Sequence, residues 1–284
     1  MHYHRYLFKI RREVKKLIPF IILLLFTASA FTQEIKVRRV KKLPVEEKAY
    51  FPDFGENHKE ILLSGKHRKG LTLYNRCKRK HQKISDASGA GSDYIVKQGG
   101  NIIFSETNVK EGRKLTEYKR FNPETGQITA VDSPTNDRKG LKIQGKKLSV
   151  VNNQNQVKEL SPVGNKFYIW ASLSPGEENI LFTAAGDGTY VSDLEGNILH
   201  DLGYLNAPQW LNENWIVGME DKDDGERILS SDIIAVHLDS GKRINLTEKT
   251  DIIAQYPKVS PERNRIVYHS LKGDIYLMKI KIKK

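Results

Sequence analysis

The chain has 284 residues, 38% hydrophobic and 29% charged, with a formal net charge of +13. That length suits one large domain or two small ones, and that composition excludes intrinsic disorder. A single cysteine, Cys77, excludes an internal disulfide, and its distance from residue 30 excludes a lipoprotein modified there.

Taken in chain order, residues 1–16 carry Arg5, Lys9, Arg11, Arg12, Lys15 and Lys16 against the single acid Glu13. The apolar run Leu17 to Ala28 follows, then Ala28-Ser29-Ala30. A basic stretch, a short apolar stretch and an A-x-A site predict a secretory signal peptide over 1–32, cut after Ala30 or Thr32. The apolar run is shorter than the roughly 20 residues of a spanning helix. The expected protein is therefore periplasmic or secreted, and not membrane-spanning after cleavage. Six of the 47 basic residues and one of the 34 acids fall in this segment, which leaves residues 33–284 at +8 with both signs scattered. Scattered charge suits a solvated surface better than a polyanion site, so no nucleic-acid partner is expected.

Residues 33–46 contain "EIKVRRVKKL", Glu34 to Leu43, in which Ile35 and Val37 alternate with charged neighbours. That pattern predicts a half-buried strand. From residue 47 onward, apolar triplets recur at Ile61-Leu62-Leu63, Ile102-Ile103-Phe104, Ile180-Leu181-Phe182, Trp215-Ile216-Val217 and Ile266-Val267-Tyr268. Their spacings are 41, 78, 35 and 51 residues, and the second implies one unseen copy. The mean of 41 matches a four-stranded propeller blade of about 40–45 residues. Asn75, Asn122, Asn152, Asp193 and Asp239 run in step at strand ends, several before a glycine, as tight turns require. The expected fold is all-β: a six-bladed β-propeller of four-stranded antiparallel blades over 47–284. The blades fall near 47–85, 93–131, 137–161, 167–203, 206–247 and 254–284. The third, "LKIQGKKLSVVNNQNQVKELS", shows three short strands only. The last lacks an outer strand, so Glu34–Leu43 is expected to supply it and close the ring.

The stretches "LSPGEENILFTAAGDGTYVSDLEG" and "YPKVSPERNRIVYHSLKGDIYLMKI" resemble the TolB-type six-bladed propeller repeat. The resemblance covers about 240 residues, with departures at Gly176, Glu177, Glu262 and Arg263, and with Trp210-Leu211 in place of Ser-Pro. It implies a periplasmic module that binds other cell-envelope proteins. The α/β domain that precedes the propeller in TolB has no counterpart between the predicted signal and residue 47.

No G-x-S-x-G, H-E-x-x-H or P-loop motif occurs. "SGAGSDY", Ser88 to Tyr94, lacks the third glycine of a phosphate loop. His58, His67, His81, His200, His237 and His269 share no metal-ligand spacing. The segment Met219 to Ser231 puts Glu220, Asp221, Asp223, Asp224 and Glu226 within seven positions, beside Gly225. Calcium favours clustered oxygens, yet the spacing lacks the alternation of an EF-hand. The expectation is a solvated acidic loop and no cofactor, with calcium at 220–226 as the alternative. On the same face, "GKHRKG" and "NVKEGRK" would form a basic arc of Lys66, Arg68, Lys69, Lys110, Arg113 and Lys114, opposite Asp221, Asp223 and Asp224. Opposed charge on a rim suits selective docking. The expected function is a monomeric, non-catalytic binding or scaffold module for cell-envelope proteins. The alternative is a carbohydrate-active lyase or hydrolase, or a glycan-binding propeller, with its site in the central channel.

Overall fold

Apolar triplets between turns give strands covered on both faces. The computed structural model describes residues 34–92, 95–110, 113–132, 140–152, 154 and 156–283, so the expected signal peptide lies outside the described residues. Residues 35–281 form one compact unit.

Strand β1 is Glu34–Lys42. The first blade is β2 (Tyr50–Phe54), β3 (Glu60–Ser64), β4 (Lys69–Asn75) and β5 (Lys80–Ser88), paired in that order. The second is β6 (Ile95–Gln98), β7 (Asn101–Lys110), β8 (Arg113–Phe121) and β9 (Ile128–Val131). The third sheet holds β10 (Gly140–Gln144), β11 (Lys147–Val151) and β12 (Val157–Leu160). The fourth is β13 (Tyr168–Leu173), β14 (Asn179–Ala184), β15 (Gly188–Asp193) and β16 (Ile198–Asp201). The fifth is β17 (Asn206–Trp210), β18 (Trp215–Asp223), β19 (Ile228–His237) and β20 (Arg243–Asn245). In the sixth, β21 (Ala254–Val259), β22 (Arg265–Ser270) and β23 (Ile275–Lys283) are completed by β1, in the order β1-β23-β22-β21. The six sheets make a β-propeller closed by its N-terminal strand.

The third sheet has three strands among the described residues, and they take the places of the second to fourth strands of a blade. Asn152 Oδ1 accepts from the amides of Gln154 and Gln156. Asp193 Oδ1 accepts in the same way from Glu195 and Asn197, at the turn between the third and fourth strands of its blade. The match identifies β11 with a third strand and β10 with a second.

Each large core cluster lies between neighbouring blades. Leu62, Leu73, Ile102 and Phe104 join the first to the second, and Leu148, Tyr168 and Phe182 join the third to the fourth. Leu181, Ile216 and Ile234 join the fourth to the fifth. Packing against a neighbour on each side explains the unbroken apolar triplets. At the closure, the Leu43 amide donates to the Ile275 carbonyl (2.8 Å) and the Ala49 amide to that of Gly273 (2.9 Å). Lys42 and Lys48 both pair with Asp274. Gly273 is required there: its φ is +77°, and a Cβ would lie 2.7 Å from the Tyr50 ring. One detail of the expected alternation fails, since Ile35 is 4% exposed but Val37 is 37% exposed.

Two rim segments expected as loops are partly strand, with residues 224–227 keeping the turn of the first. The acidic segment is the tip of the β18–β19 hairpin, in which Glu220, Asp221 and Asp223 pair with Asp232, Ser231 and Ile228. The "NVKEGRK" segment is the tip of the β7–β8 hairpin, with Lys110 opposite Arg113. In both, the ladder extends past the packed blade because alternating polar residues tolerate solvent on either face.

Candidate functional site

The central channel is built by a device repeated in four inner strands. Pairing shifts between Tyr50 and Asp53, Ile169 and Ser172, Asn206 and Gln209, and Gln255 and Lys258. Each bulge holds one residue at positive φ: Phe51 (+47°), Trp170 (+53°), Ala207 (+46°) and Tyr256 (+50°). Pro52, Ala171, Pro208 and Pro257 follow. Left-handed backbone costs an L-residue about 1–2 kcal/mol, so four repeats mark a device the packing sustains. Past each bulge, Asp53, Ser172, Gln209 and Lys258 take one equivalent position, opposite Leu62, Leu181, Val217 and Val267.

Asp53, Ser172 and Gln209 line a cavity of about 620 Å³ together with Lys97, Trp210 and Arg263. Lys97 Nζ donates to Asp53 Oδ2 at 2.6 Å, and the Phe54 amide donates to Oδ1 at 2.8 Å. Burial alone would raise the Asp53 pKa, but Lys97 and Lys258 outweigh it and hold the carboxyl below its usual value. The Lys258 side chain is half-buried, and its ammonium makes no hydrogen bond or ion pair among the described residues. Desolvation lowers its pKa, Asp53 opposes that, and Lys97 and Arg68 reinforce it.

Above this layer the channel mouth is aromatic. The Phe51 ring lies 4.7 Å from Tyr256, and Arg68 sits over Phe51 at 3.8 Å. His269 is 2% exposed and stacks on Tyr256, with Tyr50 and Phe51 edge-on. Its Nδ1 lies 2.9 Å from the Ser270 carbonyl, and Nε2 is buried without a partner. Desolvation lowers its pKa to about 4, with Arg68 adding to the effect against the Ser270 bond. The ring is neutral at neutral pH.

Of the residues expected on the rim, the 3-10 turn Lys66–Arg68 splits its own set. Lys66 and Lys69 stay exposed, while Arg68 turns onto Phe51 at the channel mouth. Lys69 also borders a separate rim cavity of about 360 Å³. Arg113 is exposed; the side chains of Lys110 and Lys114 lie outside the described residues. The acidic residues are engaged close to home. Asn206 Nδ2 donates to Asp221 (2.9 Å), and Glu220 pairs with Arg243. Asp223 accepts from the Gly225 amide, and Asp224 from those of Glu226 and Arg227. No group of three or more His, Cys, Asp or Glu among the described residues could hold a metal ion.

Lys97 and Lys258 were not expected at a site. For Lys258 a signal was present, because Pro52, Pro208 and Pro257 each stand one residue before an inward-facing position and shortly ahead of an apolar triplet; Lys97 has no such mark.

No family model matches the chain, and a search of curated proteins found no match. Solved structures do match it. The β-propeller domain of Cps50 (Swd1) from Myceliophteria thermophila aligns with a TM-score of 0.55 at 6% identity, over 87% of this chain and 100% of that one. An oligogalacturonate lyase in complex with manganese aligns at 0.44 and 11% identity, over 84% of this chain and 78% of that one. The tricorn protease aligns at 0.47 and 13% identity, over 84% of this chain and 26% of that one. At these identities the first likeness shows the fold alone: the chain is a β-propeller.

Proposed function

We propose that the chain is a secreted, non-catalytic propeller of TolB-like type, which docks an acidic segment of a cell-envelope protein at its central channel. The observation that carries this reading is charge. Lys97 and Arg263 line the cavity, with Lys258 acting on Asp53 from beside it and Arg68 over Phe51, against two carboxylates: Asp53, which Lys97 already holds, and Glu56, which accepts from the Gly100 amide. A half-buried ammonium that shares its only described counter-charge, Asp53, with Lys97 gains when a further carboxylate reaches it. The remaining groups suit binding better than turnover. Asp53 is held deprotonated in an ion pair, and the bare nitrogen of His269 is enclosed by aromatic rings and does not line the cavity. The basic N-terminal stretch, apolar run and A-x-A site support export.

The test is a calorimetric titration of residues 33–284 with an Asp/Glu-rich hexapeptide, its Asn/Gln counterpart and an oligouronate. The expected result is saturable binding of the acidic peptide, at least tenfold weaker binding of the amide counterpart, and no new product from the sugar. Unsaturated or shortened uronate products would overturn the non-catalytic reading in favour of a carbohydrate-active enzyme. Uronate binding without turnover, in place of peptide binding, would make it a glycan-binding propeller.

A further inference from the structure

The seam between the sixth and first blades is apolar at its centre, where Leu43, Tyr74, Val267 and Leu277 pack together. Where that packing stops, a cavity of about 230 Å³ opens, lined by Arg39, Lys41, Arg76, Arg265, Leu277 and Lys279. Five of the six are cationic and none is acidic. The strands explain the convergence. Alternation puts Arg39 and Lys41 on one face of β1, and Leu277 and Lys279 on one face of β23. Register sets Arg265 opposite Lys279, and Arg76 arrives from the turn after β4.

None of the five cations makes an ion pair among the described residues. Arg265 donates to Asn264 Oδ1 (2.5 Å), and Arg76 Nη1 donates to the His58 carbonyl (2.6 Å). Arg76 Nε is buried and has no partner. Burial and the neighbouring Arg265 both lower the Arg76 pKa. The nearby acid Glu262 is occupied by His58, whose amide (3.2 Å) and Nδ1 (2.6 Å) both lie against its Oε1. Like charges in a shared cavity repel, and a buried donor left unmade is costly.

We propose that this seam pocket is a binding site for a phosphate group, carried either by a soluble ester or by a lipid headgroup. Three guanidiniums offer planar forks that match phosphate oxygens in pairs. A phosphate brings a charge of about −1.5 to −2 where a carboxylate brings one, which suits five cations. The volume is that of about eight waters of bulk liquid and falls below the range of about 300–1,000 Å³ for drug-sized ligands, so the pocket fits a head group and not a whole large molecule. Two of the five cations lie on the closing strand, so a bound phosphate ties β1 to the first and sixth blades. This site is separate from the channel and does not depend on its function.

The test titrates residues 33–284 with inorganic pyrophosphate at constant ionic strength, and in parallel with phosphatidylcholine vesicles with and without phosphatidylglycerol. Wild type, Arg39→Gln/Lys41→Gln, Arg76→Gln and Lys258→Met are compared. Expected is saturable binding with a rising Tm, weakened at least tenfold by the double variant and by Arg76→Gln, and unchanged by Lys258→Met. In phosphate-free buffer the double variant should melt no lower than wild type, since it relieves repulsion. Phosphatidylglycerol-dependent vesicle binding with the same variant pattern identifies a headgroup, and pyrophosphate binding alone identifies a soluble ester. The proposal is overturned if neither probe binds, if binding survives in both Arg39→Gln/Lys41→Gln and Arg76→Gln, or if Lys258→Met alone removes it.

Discussion

The β18–β19 tip and the seam pocket each gather five like charges, and they treat them in opposite ways. In the hairpin, Glu220, Asp221, Asp223, Asp224 and Glu226 are neighbours in sequence. Arg243, Asn206 and the backbone amides of the turn engage four of them within the same blade. In the seam pocket, Arg39, Lys41, Arg76, Arg265 and Lys279 come from distant parts of the chain and meet without a carboxylate. The channel lies between the two cases: Asp53 holds Lys97, while Lys258 has no ion pair among the described residues. Charge clustered in sequence is neutralised by its local fold; charge clustered only by ring closure is left for a ligand. The predictions below try that contrast from the largest effect to the smallest.

Removing β1 breaks ring closure and the seam pocket together. A chain starting at residue 44 loses a row of strand hydrogen bonds at about 1 kcal/mol each and the burial of Ile35, about 2 kcal/mol. It should lose about 5 kcal/mol against a chain starting at residue 33 in urea denaturation. Equal midpoints and slopes would show that the clasp is idle.

His269 gives the next effect, through pH. Its pKa falls from 6.5 to about 4 on folding, so the unfolded chain binds a proton first. Stability is complete above pH 6.5 and falls as the pH drops toward 4, by about 3 kcal/mol for this group. Tm measured across that window should flatten in His269→Phe relative to wild type.

Asp53→Asn leaves Lys97 and Lys258 facing each other and should cost about 2 kcal/mol at neutral pH, less than for a fully buried pair. The sign with pH follows the lowered pKa: the wild-type advantage is full above 3.8 and disappears as pH falls through the folded value. Chemical denaturation of both proteins at pH 7 and pH 3 reads this directly.

The hairpin should be nearly silent. Asp221→Asn with Asp223→Asn should shift stability by less than about 0.5 kcal/mol each, and chelation of calcium should not change Tm. A chelation-sensitive Tm that the double variant abolishes would restore the calcium alternative.

The same contrast explains what could be foreseen. Blade count, closure by Glu34–Leu43 and the three described strands of the third blade follow from local signals, namely apolar triplets and Asx turns, which a linear reading detects. The acidic cluster was visible for the same reason, but its strand pairing depends on β19 and was read as a loop. Arg68 was recognised as a rim residue, yet its turn toward Phe51 requires the bulge in β2. The seam pocket was hidden because its five cations become neighbours only when β1 lies beside β23.

The most direct test of the channel's role is Lys258→Met, measured for both stability and acidic-peptide affinity. Methionine fills similar volume and removes a half-buried cation that has no ion pair among the described residues. The predicted result is unchanged or higher stability in urea together with at least tenfold weaker peptide binding. Lower stability with unchanged affinity would contradict the account, because Lys258 would then serve the fold and the channel would not be where the partner binds.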